Sequence, residues 1–229
     1  MRYKKHIKET LVLAVPVALS QLAHISVGVA DTLMAGQINK EALAAATVAL
    51  SMFFPIFMLY IGFSYGFTPL ISQAHGEKNN EKIVRIFKHA LLLNIIVGIF
   101  LTALLYSCMY LIPHLRQPVD IVRDATKFFS IIALSILPII IFQIFKQFIE
   151  GMGHTKQAMI VSIGGNLLNI VLNVVLLYGY WGLPELGLFG IAYATLISRF
   201  FMAVAITIYF MLAKEYVDYR KMYRSIRFD

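Results

Sequence analysis

Apolar residues fill six long stretches, at approximately 10–35, 42–74, 83–112, 121–150, 157–180 and 187–213, while polar residues collect in the breaks between them. A helix needs about 20 apolar residues to cross a hydrocarbon core of roughly 30 Å. The pattern therefore predicts an all-α membrane protein, a bundle of six transmembrane helices over residues 1–213 followed by a tail at 214–229. The breaks have loop chemistry: GQINKE, HGEKNNEK, PHLRQP, GMGHTK and WGLPEL. Connections this short make sequence neighbours antiparallel neighbours in space. Pro16, Pro55 and Pro138 fall inside predicted helices, where each removes a backbone hydrogen bond and permits a bend.

Composition supports the membrane reading. Of 229 residues, 59% are apolar and 14% charged, against about a quarter charged in a soluble domain. The net charge of +8 is explained by where its residues fall. Counting Lys and Arg by alternate loops puts fifteen with the N-terminus, the second-to-third loop, the fourth-to-fifth loop (Lys146, Lys156) and the tail, and four on the other side. That asymmetry predicts a multi-pass protein of the inner (plasma) membrane with both termini cytoplasmic. Nucleic-acid binding thereby loses its main support. A cleaved signal peptide at the basic N-terminus is disfavoured, because the first apolar stretch is too long and five more follow. Tyr178, Tyr180 and Trp181 fit an interfacial aromatic belt. The tail alternates basic and aromatic residues, which suits a helix on an anionic inner leaflet or a solvated linker. With one cysteine, Cys108, an intrachain disulfide and a cysteine-built metal cluster are excluded.

Polar residues inside membrane segments are costly, so their spacing is informative. In the first segment Gln21, His24, Gly28, Asp31 and Ala35 recur at steps of three and four and share one helical face. The fifth segment repeats this with Ser162, Asn166, Asn169 and Asn173, and the sixth adds Thr195, Ser198 and Arg199. Measured from the outer ends of their helices, Asp31, Asn173 and Thr195 lie within roughly 6 Å of one depth. A carboxylate, two amides and a hydroxyl meeting there could bind Na+ at Asp31, Asn169 and Asn173, or exchange H+. Interhelical hydrogen-bonding glue is the simpler role for the asparagines. His24 is expected as a satisfied interior histidine, and Arg199 as a structural ion-pair partner or a side chain snorkelling to the surface. Phe53, Phe54, Phe57 and Met58 could line a cavity for flat cations, although lipid-facing packing is the simpler expectation. Catalytic motifs such as HExxH, GxSxG and a P-loop are missing. The chain does not read as an enzyme, no cofactor is expected, and any active transport would be driven by an ion gradient.

PVALSQLAHISVGVADTLMAG at 16–36, GFTPLISQAHGEKN at 66–79, QFIEGMGHTKQAM at 147–159, GGNLLNIVLNVVLLYG at 164–179 and GLPELGLFGIAYAT at 182–195 give the chain its family likeness. It resembles the multidrug and toxic compound extrusion (MATE) transporters, particularly the NorM-like branch. The resemblance implies secondary active efflux of cationic amphipathic compounds by H+ or Na+ antiport. By similarity Asp31, Asn169, Asn173 and Thr195 match a cation- or proton-coupling site, and Pro16 a helix-bending proline, with Gln21, His24, Asn166 and Arg199 as supporting residues. Some members carry Asp where Asn173 stands. The family has twelve helices in two lobes, so this chain is expected to correspond to the amino-terminal lobe. A missing carboxy-terminal lobe or a second chain would complete it, truncation is favoured, and the tail resembles the start of the inter-lobe linker. The alternatives are a flippase for lipid-linked saccharides, which would want a cavity richer in Arg and Lys, and a non-transporting membrane scaffold.

Overall fold

The computed structural model describes residues 2–225, and the side chains of all of these except 2–6, 9 and 224. The basic stretch Arg2, Lys4, Lys5 and the last four tail residues therefore contribute no side-chain facts. The described residues form helices without strands: α1 (Arg2–Ile38), α2 (Lys40–Tyr65), α3 (Phe67–Gly76), α4 (Asn80–Met109), α5 (Val119–Leu134), α6 (Ile136–Gly151), α7 (Thr155–Tyr178), α8 (Leu188–Leu212) and α9 (Val217–Ser225). Among the described residues, six spans are long and apolar enough to cross a membrane: Thr10–Ile38, Lys40–Gly76, Asn80–Met109, Val119–Gly151, Thr155–Tyr178 and Leu188–Leu212.

Local chemistry sets several boundaries. The Asn39 side chain accepts from the Ala42 amide at 2.6 Å and starts α2, and Asn79 does the same for α4 through Lys82 at 2.9 Å. Just before α4, Lys82 bonds Glu77 at 2.8 Å and holds that carboxyl below its usual range. Helix α7 ends where Gly179 turns left-handed at φ 69°, and a Cβ there would lie 2.9 Å from backbone atoms of Leu183 and Glu185.

Two spans are broken, and a proline accounts for both breaks. Pro69 cannot donate to the Tyr65 carbonyl and Pro138 cannot donate to that of Leu134; α2 and α5 end at those two residues. A residue suited to a break follows each one. Gly66 comes after Tyr65, and Ser135 comes after Leu134 with its hydroxyl turned back to the Ile132 carbonyl at 2.6 Å. Pro16 and Pro55 lie in unbroken helices.

The fourth span, α5 and α6, is the centre of the bundle. Within its most apolar window 72% is buried, against 11% for the first span. Here one charge assignment changes. Lys146 belongs to α6 rather than to a loop: its side chain is fully buried, with Nζ 3.3 Å from Glu150 Oε1 one turn on. The pair reports nothing about which side faces the cytoplasm.

Helices α7 and α8 approach closely through glycines. A Cβ on Gly190 would stand 2.6 Å from the Leu176 carbonyl oxygen, and one on Gly165 would stand 2.1 Å from the Met202 side chain. Backbone cannot yield as methionine can. Gly190→Ala should therefore force the helices apart and cost about 1–3 kcal/mol, while Gly165→Ala costs less. Thermal unfolding in detergent measures both, and equal losses would contradict the argument.

The tail folds back onto the bundle. Tyr216 is fully buried and stacks on Phe210, with ring centroids 5.3 Å apart. Burial pushes its hydroxyl pKa up, so it stays protonated, and it hydrogen-bonds with His154 Nδ1 at 2.7 Å. Tyr219 donates to Asn80 at 3.1 Å, and Tyr223 lies against Phe87 at 6.1 Å. Arg220 caps the end of α8 through the carbonyls of Phe210, at 2.5 Å, and Ala213, at 3.0 Å. Over 217–225 the aromatic side thus faces protein, where the sequence suggested a lipid leaflet or solvent.

A polar ring in the wall of a cavity

Helices α1, α2, α5, α6, α7 and α8 line a partly open cavity of about 720 Å³, whose rim includes the exposed Ile25, Leu33 and Met58. Most of its polar groups come from the helical faces predicted above: Gln21, His24 and Asp31 on α1, Asn166 on α7, and Thr195, Ser198 and Arg199 on α8.

Four of the predicted residues meet in a closed hydrogen-bonded ring. Asn173 Nδ2 donates to Asp31 Oδ1 at 2.6 Å and also to Asn169 Oδ1 at 3.3 Å. Asn169 Nδ2 donates to Thr195 Oγ1 at 3.2 Å, and that hydroxyl donates to Asp31 Oδ2 at 3.2 Å. All four side chains are buried. The ring works because α1, α7 and α8 each place a polar step of three or four at one depth. Helix α8 runs antiparallel to α7, so Thr195 faces Asn169. The carboxylate is oriented by one amide and one hydroxyl, while Asn173 Oδ1 is buried with no partner. An oxygen-rich corner of this kind, with one uncommitted acceptor beside a carboxylate, can hold a hard monovalent cation or a proton.

Other predicted residues fall elsewhere. His24 lines the cavity edge-on to Phe142, 6.1 Å between centroids, and its Nε2 is buried without a partner, so it is not the satisfied histidine expected. Arg199 neither snorkels nor pairs with a carboxylate. Its Nη1 donates to Ser135 Oγ at 2.6 Å, and its guanidinium lies 5.3 Å from the ring centroids of both Phe53 and Phe57. Phe53, Phe54, Phe57 and Met58 all line the cavity, while Phe54 and Met58 are also exposed, as lipid-facing residues would be. Ser162 is buried and bonds back to the Ala158 carbonyl at 2.9 Å, outside the cavity wall. Pro16 lies away from the cavity, on a separate groove beside Lys8 and Lys156.

Sequence reasoning missed Tyr65 and Gln143, which line the cavity, and Ser135, which anchors Arg199. A serine three residues before a proline in an apolar stretch was the available signal for Ser135.

Comparison with known proteins agrees with this architecture. The MatE family model matches residues 16–175. A probable multidrug resistance protein NorM from Photorhabdus laumondii is 33% identical over 94% of this chain and 48% of its own length. Multidrug resistance protein NorM from Vibrio cholerae is 29% identical over 93% of this chain and 47% of its own. The chain thus spans about half the length of these curated relatives. Among solved structures, an outward-facing multidrug resistance MATE family transporter of the MOP superfamily superposes with a TM-score of 0.81 and 24% identity, covering 91% of this chain and 45% of that one. A MOP superfamily transporter from Pyrococcus furiosus gives 0.80 and 24% over 90% and 45%.

Proposed function

The chain belongs to the MatE family, and from that premise we propose that it forms the amino-terminal lobe of a secondary transporter exporting cationic amphipathic compounds in exchange for H+ or Na+. The observation that carries this reading is the Asp31 ring in the wall of a cavity large enough for a small organic molecule. Asp31 is the group over which coupling ion and substrate cation compete: one carboxylate cannot neutralise both. For Na+, the ligands would be the oxygens of Asp31, Asn169 and Asn173. For H+, Asp31 itself takes the proton while Asn173 and Thr195 keep it oriented. Pro16 leaves the Val12 carbonyl without its helical partner, so α1 can bend below Asp31 and change the ring's geometry. The loop charges support insertion in the bacterial cytoplasmic membrane with both ends inside, and a second six-helix lobe or a second copy of the chain would supply the other wall of the path.

The test is cation competition in the purified chain held in lipid nanodiscs. Ethidium affinity should weaken as Na+ is added or as pH falls through the neutral range, and whichever of the two acts identifies the coupling ion. Asp31→Asn should abolish that dependence and weaken ethidium binding about tenfold or more, the equivalent of 1.4 kcal/mol. An Asp31→Asn variant with undiminished dependence on both ions would overturn the reading.

A further inference from the structure

Two charged groups of opposite sign, Asp31 and Arg199, share the cavity wall with the unpartnered Gln143 Oε1 and His24 Nε2. At the Asp31 end the wall offers the carboxylate oxygens, held by Asn173 and Thr195. Arg199 lies one turn, roughly 6 Å, along α8 from Thr195, and Asn166 lies one turn along α7 from Asn169; both present donors. Asn166 Nδ2 is buried without a partner on a side chain 7% exposed. The Arg199 guanidinium also lines the cavity, held by Ser135 at 2.6 Å and lying over the Phe53 and Phe57 rings. No carboxylate among the described residues lies within ion-pair distance of Arg199.

A fixed guanidinium is a poor wall for a cavity that takes simple monocations. It already lies over Phe53 and Phe57, two of the aromatic rings a flat cation would use, and it repels a second positive charge. It is a good wall for an anionic group, since its planar fork matches a carboxylate and the idle Asn166 amide can add a further donor.

We infer that Arg199 and Asn166 form a subsite for an acidic group. The cavity would then prefer compounds that carry one carboxylate about a helical turn from their cation over compounds that are cations alone. Arg199 is the residue that sets this preference. The inference rests on the proposed reading of Asp31 as the cation-holding group.

Two probes isolate the carboxylate: a free-acid rhodamine and its methyl ester, which share one cationic chromophore. Fluorescence anisotropy with the chain in nanodiscs should show the free acid binding at least about tenfold tighter than the ester. Arg199→Gln should remove or reverse that ratio by strengthening the ester and weakening the acid, whereas Arg199→Lys, which keeps the charge, preserves its sign. Should Arg199→Gln not fold, Arg199→Met packs on the same two rings and carries the same expectation. A wild-type chain that binds both dyes equally or prefers the ester overturns the inference, as does a neutral variant that changes both by one factor. Asp31→Asn separates the two readings. If it weakens both dyes alike while the neutral Arg199 variant leaves their ratio untouched, the acidic subsite fails and the cation site stands. If it weakens neither, both fail.

Discussion

Lys146→Met alone should destabilise the bundle by about 3–5 kcal/mol, because it leaves the Glu150 carboxylate at a buried position without the ammonium 3.3 Å away. One source of relief is Gln147 Nε2, a buried donor without a hydrogen-bond partner three residues before Glu150 on α6, and it sets the lower end of that range. Gln143 Oε1 and Glu150 Oε1 are both acceptors without hydrogen-bond partners, so they cannot satisfy each other. The Tyr65 ring is 5.8 Å from Nζ, a contact that rewards the cation and is lost with it. Replacing both residues, Lys146→Met with Glu150→Met, removes the charge and its counter-charge together. The double variant should return to within about 1 kcal/mol of the wild type, since a packed apolar pair of similar size costs no desolvation. Thermal and denaturant unfolding of the three proteins in one detergent make the comparison. If single and double variants lose the same amount, the two residues are not energetically a pair.

Tyr216→Ala should be nearly as costly. The side chain is fully buried, stacked on Phe210 and packed edge-on to Phe148, with centroids 5.7 Å apart. Truncating an aromatic residue of this size in a packed core costs about 3–5 kcal/mol. The loss falls mainly on the tail, because Tyr216 leads directly into α9 and is the fully buried member of its set of anchors, Tyr219, Arg220 and Tyr223 being partly exposed. The variant should therefore expose the Arg220–Lys221 bond to trypsin while the six spans stay folded. Tyr216→Phe keeps the stacking and loses the bond to His154, worth about 1 kcal/mol. A Tyr216→Ala tail that remains as protease-resistant as the wild type would mean that α9 is held by something other than this ring.

Much of the polar ring was legible in the sequence because lipid makes polar side chains rare. Within an aliphatic helix, Asp31, Asn169, Asn173 and Thr195 stand out, and the helical period already puts Asn169 and Asn173 on one face. The structure adds the bonds that close the ring. The spans themselves were legible for the same reason. What escaped depends on contacts between distant segments. Pro69 looked like a residue in an unbroken apolar stretch, since its effect on the Tyr65 carbonyl leaves no mark on hydropathy. Lys146 looked like a loop charge because it stands near a span end, and only the partner one turn later and the packing of α3, α4 and α8 around α6 bury it. The basic and aromatic alternation of the tail is equally suited to a leaflet, to water or to a protein surface. Phe87, Phe148 and Phe210, which decide among these, lie far away in sequence. Arg199 was ambiguous because Ser135 and Phe53 belong to other spans.

The docked tail also bears on how the chain is inserted. Asn80 follows the second span, His154 the fourth, and Tyr216 the sixth. Each is separated from the next by two crossings, so the three meet only when every span has been threaded in its proper direction. A chain that skipped one span would leave Asn80 or His154 on the far face, across roughly 30 Å of hydrocarbon, and Tyr216 would have nothing to bury against. Docking of α9 is thus a geometric consequence of how the second, fourth and sixth spans end beside one another.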